Sequence, residues 1–144
     1  MTFMAGVSKV QPEFHVRLII ADEACSPAEI TKQTGLVPSR TWHRGDNRPK
    51  TALVERDNGW QLESPLPKSS PLVQHFDYIL STIEPGCRQL KQFTKRHESV
   101  LACAVYFDDH EPMPEIHLDH TVIARLADLN LSVDIDLYCI GEEP

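Results

Sequence analysis

The chain has 144 residues, 41% of them hydrophobic and 24% charged, with a mean hydropathy of -0.30, the composition of one globular domain. Its formal net charge of -7 and pI near 5.4 exclude generic attraction to nucleic acid or anionic membrane, which rests on summed positive charge. No apolar run approaches the roughly 18–20 residues that span a bilayer, so no membrane partner is expected.

Residues 1–12 read as a disordered or loosely ordered tail ahead of a single domain over 13–144. The first strand is expected in EFHVRLIIA (Glu13–Ala21), where Phe14, Val16, Leu18 and Ile20 alternate and Ile19 and Ala21 make the second face apolar. A helix follows in SPAEITKQTGL: Ser26 as N-cap, Pro27 at the first helical position, Glu29 closing a capping box and Gly35 as the left-handed stop. In TALVERDNGWQLES, Asn58-Gly59 suits a two-residue type I′ turn, which predicts a hairpin of Thr51–Asp57 with Trp60–Ser64. After the linker PLPKSSP, Ser70-Pro71 opens a helix with Val73, Phe76, Leu80 and Ile83 inward. Pro85-Gly86 interrupts it, and CRQLKQFTKRH resumes with Cys87, Leu90 and Phe93 inward.

SVLACAVYF (Ser99–Phe107) is apolar on both faces and reads as a buried strand; DDHEPMPE is a loop. LDHTVIARLADLNL gives a helix capped by Asp119, with Val122, Ile123, Leu126 and Leu129 inward and Asn130 as its stop. The last strand, SVDIDLYCI, sets Val133, Ile135, Leu137 and Cys139 against Asp134, Asp136 and Tyr138. Two strand-helix-strand units thus flank a hairpin and a long helix. The expected fold is an α+β single-domain sandwich, a mainly antiparallel sheet with helices packed on one face, and a ferredoxin-like relative is its leading version.

The opening segment MTFMAGVSKV has neither a basic n-region nor a long apolar h-region, so no secretory signal is read and the cytoplasm is the expected compartment. Cys25, Cys87, Cys103 and Cys139 show no C-x-x-C pair and no metal-ligand spacing, which suits reduced packing cysteines.

The order of FHVRLIIADEACSPAEITKQTGLVPSRTWHRGD, then Trp60 with QLESPL, then a terminal LSVDIDLY resembles a bacterial family of unknown function numbered 4279. The likeness runs from about Phe14 to Tyr138 and implies a bacterial origin and a shared fold. Ala21-Asp22 stands where the family pattern has a glycine after the first strand. The resemblance carries no activity, because the family has none to transfer.

Three constellations are candidates for function. The corner around GLVPSRTWHRGD concentrates Arg40, Trp42, His43, Arg44 and Asp46, with Arg48, Lys50 and Arg56 beyond and Trp60 as a neighbouring aromatic. Arginine forks match carboxylates and phosphates, tryptophan offers a flat stacking face, and both are enriched in interface hot spots. Its architectural alternative is a turn in which Arg40 or Arg44 pairs with Asp46 or a strand carboxylate and Trp42 covers the sheet edge beside Trp60. DDHEPMPEIHLDH contains metal-ligand residue types, His110, His117, His120, Asp109, Glu111, Glu115 and Asp119, but at no recognised metal spacing, so no metal is expected. Asp134 and Asp136 share one strand face with Tyr138, without an identifiable base or nucleophile.

With no catalytic motif and only 6 glycines for a nucleotide cradle, the residues favour a non-enzymatic binding or adaptor domain, an immunity-type inhibitor among the forms considered, that meets an acidic protein through the basic corner. Self-association of residues 40–56 with the acidic loop 108–119 of a second copy is a further expectation. The alternative is a small-anion (phosphate or carboxylate) binding protein or an enzyme using the same corner. No cofactor is expected.

Overall fold

The computed structural model describes residues 11–110 and 112–141; of the expected loosely ordered tail, residues 1–10 lie outside them. Five strands form one sheet in the order β2-β3-β1-β4-β5: β1 Glu13–Asp22, β2 Arg40–Trp42, β3 Asn58–Glu63, β4 Glu98–Phe107 and β5 Ser132–Cys139. The helices are α1 Pro27–Thr34, α2 Leu72–Ile83, α3 Cys87–Thr94 and α4 His120–Asp128, with a single 3-10 turn, Glu84–Gly86, joining α2 to α3 where Pro85 and Gly86 were expected to interrupt.

Alternation in β1 buries Phe14, Val16, Leu18 and Ile20, and β4 buries Leu101, Cys103 and Val105 against them. The antiparallel register sets Val16 opposite Cys103 and Leu18 opposite Leu101. From the helices come Ile30 of α1, Phe76, Ile79, Leu80 and Ile83 of α2, Leu90 and Phe93 of α3, and Val122 and Leu126 of α4, all in one apolar cluster with the strand residues. The helices therefore cover one face, and the odd-numbered residues of β1 with Val100, Ala102, Ala104 and Tyr106 of β4 form the other, which no described element covers. Trp60 is fully buried on the helix side, where its indole Nε1–H donates to Thr31 Oγ1 at 3.1 Å.

The sheet is mixed rather than mainly antiparallel. β1 pairs antiparallel with β3 and β4, and β3 with β2, but β5 lies parallel to β4. The reason is the α4 crossover: a strand that returns through one helix on the same face re-enters in the original direction. The ferredoxin-like expectation is not confirmed. β1 and β2 run parallel with β3 between them, a split unit, whereas β4 and β5 are immediate neighbours with no strand inserted.

The expected hairpin also fails. Asn58 and Gly59 open β3 instead of turning, and no positive φ occurs at either, as a type I′ turn requires. Asn58 is engaged elsewhere: its Oδ1 accepts from Arg44 N–H at 2.8 Å and its Nδ2 donates to the Glu23 carbonyl at 3.1 Å. The strand that pairs with β3 here is β2, fifteen residues of loop away in sequence (residues 43–57).

Smaller departures concern caps. Ser26 precedes α1 and Pro27 begins it, but the Ser26 side chain caps nothing and Glu29 binds Gln33, so there is no capping box. Gly35 ends the helix at φ 72 as expected. Pro71, not Ser70, is the N-cap of α2. Asp119 does cap α4, accepting from Val122 N–H at 2.9 Å, and Asn130 ends that segment at φ 57. Ile123, expected inward, is 53% exposed.

Candidate functional site

β2 is three residues long and pairs with the edge of β3, Thr41 opposite Trp60 and Trp42 opposite Gly59. This register separates the two tryptophans by face: Trp60 enters the core and Trp42 lies on the uncovered side. There the indole of Trp42 lies across Gly59, so closely that a β-carbon built on Gly59 would overlap the ring. The Arg40 guanidinium sits 4.7 Å from the ring centroid on the same face, a cation–π arrangement. Trp42 is half-buried and Arg40 exposed.

Beyond Trp42 the chain forms a narrow two-stranded arm. Asp46 turns it: the Asp46 Oδ2 accepts from His43 N–H at 2.8 Å, and Gly45, between them, has φ 93. Gly45 N–H donates to the Glu55 carbonyl at 2.8 Å, Glu55 N–H to the Asp46 carbonyl at 2.7 Å, and Arg48 N–H to the Leu53 carbonyl at 2.8 Å. Asn47 and Val54 bridge antiparallel between these bonds. The tip reverses at Lys50, which adopts φ 60, with Thr51 donating back to Arg48.

Charge pairing at the base of the arm is partly internal. The Glu55 carboxylate, with only 11% of its side chain exposed, lies 3.5 Å from Arg48 and 3.7 Å from Arg40. Arg44 approaches Glu23 at 3.8 Å, both side chains exposed, and His43 approaches Asp46 at 3.9 Å. Among the described residues Lys50 and Arg56 make no ion pair. Between them Leu53 and Val54 are 59% and 52% exposed. The arm therefore presents two apolar side chains flanked by unpaired cations.

Of the corner residues read from the sequence, Arg40, Trp42, His43, Arg44 and Asp46 come together on β2 and the root of the arm. Trp60 does not join them. Leu53 and Val54 of the arm have no sequence signal as surface residues, because TALVERD reads as a regular strand whose alternation would bury one of the two.

Three clefts of about 370 to 500 Å³ open on the helix side, and none is lined by Arg40, Trp42 or Arg44. The largest lies between α2 and α4 and includes Asp77, Tyr78, Asp119 and Arg125; Arg125 is already held there by Asp77 at 2.8 Å and Glu84 at 2.9 Å.

The other constellations separate. Asp108, Asp109 and His110 gather at the end of β4 with ligand atoms within 4.8 Å of one another. His110 bonds Asp108 at 3.1 Å and Asp109 at 2.6 Å; the Asp108 bond, then the two negative charges, hold the imidazole's pKa above its ordinary value. His117 and Glu115 line a different cleft with Pro12 and Phe14, and Asp119 is occupied as a cap. Glu111 lies outside the described residues. Tyr138 stacks on Tyr106 with centroids 5.0 Å apart, and Asp134 and Asp136 project beside them from β5. The four cysteines are free; burial pushes the Cys25 and Cys103 thiols up to about 11, which keeps them protonated and unreactive.

One pair had no signal in the sequence. His75 of α2, fully buried, shares a 2.7 Å hydrogen bond between Nδ1 and Ser64 Oγ, and its Nε2 has no partner among the described residues. Its enclosure beside Phe14 makes it a core histidine.

A family model described as Domain of unknown function (DUF4279) matches residues 12–140. The chain belongs to this family. No curated protein and no solved structure matches it. The match spans β1 to β5, so the arm and the sheet edge belong to the family's segment of the chain. Among the described residues no helix is long and apolar enough to cross a membrane.

Proposed function

We propose that this DUF4279 protein is a non-enzymatic binding domain whose arm, together with Trp42, Arg40 and Arg44, docks on an acidic protein. The observation that carries the reading is the arm's surface: Leu53 and Val54 exposed between Lys50 and Arg56, on a chain whose net charge is -7. Exposed apolar side chains flanked in sequence by cations suit a protein surface that offers carboxylates beside apolar groups. An exposed ribbon that lines none of the three clefts suits a macromolecule better than a small anion, which needs convergent donors. Ordinary ion pairs within the arm fix its shape while leaving its outer cations to a partner.

In this reading residues 13–144 act as one cytoplasmic domain, and an immunity-type inhibitor that covers its target is one form the binding takes. The test uses a photo-crosslinker at Leu53, in wild type and in Arg44→Glu/Arg56→Glu. Both residues are exposed, so the double reversal should melt with the wild type. An acidic protein crosslinked by the wild type and lost in the reversal is expected. Identical crosslinked species in both, or a rise in melting temperature with inorganic phosphate that requires Arg40 and Arg44, overturns the reading in favour of an architectural corner or a small-anion site.

A further inference from the structure

The two edges of the sheet are unequal. β2 occupies one with three residues, and the arm leads away from it. The other edge is β5, eight residues long, which pairs with β4 on one side only. Its ladder continues past the strand, Ile140 N–H donating to the Phe107 carbonyl at 2.7 Å. On the outer side a row of backbone donors and acceptors has no partner strand among the described residues. Such an edge accepts a further strand by main-chain hydrogen bonding.

The side chains of β5 state what that strand must be. On the helix face Val133 and Ile135 are half-buried against the core cluster, but Leu137 is 57% exposed; Ile140, just beyond the strand, is 49% exposed. On the uncovered face Asp134 and Asp136 meet no cation among the described residues, and Tyr138 is 46% exposed. A second β5 in antiparallel register centred on Ile135 would set Asp134 opposite Asp136 of its neighbour, and like charges directly opposed are destabilising. The same carboxylates favour lysine or arginine at alternate positions of a different strand.

We propose that the β5 edge binds an extended segment of another protein in which basic and apolar residues alternate, the basic ones beside Asp134 and Asp136 and the apolar ones beside Ile135 and Leu137. This site stands at the opposite edge of the sheet from the arm and does not depend on the reading of the arm. The chain then has two partner surfaces of opposite charge preference.

The experiment uses a labelled, end-blocked octapeptide of alternating lysine and valine, an alternating glutamate and valine control, and the lysine peptide N-methylated on alternate amides. The lysine peptide should bind, and every other amide of β5 should gain protection from hydrogen exchange. Asp134→Lys/Asp136→Lys should weaken it by at least about tenfold, since two exposed charge contacts become repulsive, and should improve binding of the glutamate peptide. N-methylation should abolish binding without any change to the protein. Equal binding of the methylated peptide reduces the effect to charge alone and overturns the proposal. Protection confined to the arm, or β5 protection that rises with protein concentration when no peptide is present, overturns it as well, the latter in favour of a second copy.

Discussion

The Trp42 indole packs directly against Gly59, and the absence of a β-carbon at Gly59 is what lets the ring reach the strand. Glycine weakens a strand interior, so a glycine at this position has a packing reason. The substitution Gly59→Ala should displace the indole while Trp60, on the other face, stays buried. Iodide should then quench more of the tryptophan fluorescence than in the wild type. An unchanged quenching curve would mean that the ring holds its place by other contacts.

Glu55 anchors the arm between Arg40 and Arg48. Glu55→Gln keeps the shape and removes the charge. Exchange of the Gly45 and Glu55 amides, which close the arm's ladder, should accelerate, with a global cost of no more than about 1 kcal/mol because both arginines remain solvated. Slower or equal exchange would show that backbone pairing alone holds the arm.

His75 makes stability depend on pH. Burial is the main cause that holds its pKa below the ordinary histidine value, with the positive charge of Lys68 second. The folded state therefore binds the proton less readily than the unfolded chain. The stability is complete above the unfolded value, roughly 6.5, and falls as the pH drops through it towards the folded value. Denaturant melts at pH 7.5 and 5.5 should show a loss at the lower pH that His75→Phe reduces. A His75→Phe variant with the wild-type pH slope would assign the loss to other groups.

Gly35 ends α1 at φ 72, and a β-carbon there meets nothing within 4 Å. Its replacement by alanine therefore isolates the backbone term, about 1 kcal/mol for a side chain in the left-handed region. By contrast Leu101→Ala, fully buried on β4, should cost about 2–5 kcal/mol through lost contacts and a cavity. Chemical denaturation of the two variants should reproduce that ratio; equal losses would mean that the core closes around the smaller side chain.

Local chemistry wrote much of this protein directly into its sequence. The alternation of β1, the helical spacing of Phe76, Leu80 and Ile83, the left-handed Gly35 and the Asp119 cap each depend on neighbours within a few residues, so their periodicity and residue type suffice. The family membership was legible in the same way, from the order of short motifs. Tertiary structure alone decided the rest, because it turns on which strands meet. Asn58-Gly59 has the residue types of a tight turn, yet the Asn58 side chain is taken by Arg44 and Glu23 and Gly59 by Trp42, so the pair begins a strand instead. Trp42 and Trp60 look alike in sequence, and only the β2–β3 register sends one to the surface and the other to the core. The parallel β4–β5 pairing, and with it an unpaired acidic edge, follows from a helix packing on the face already covered by three others, a choice set by where the remaining apolar surface lay.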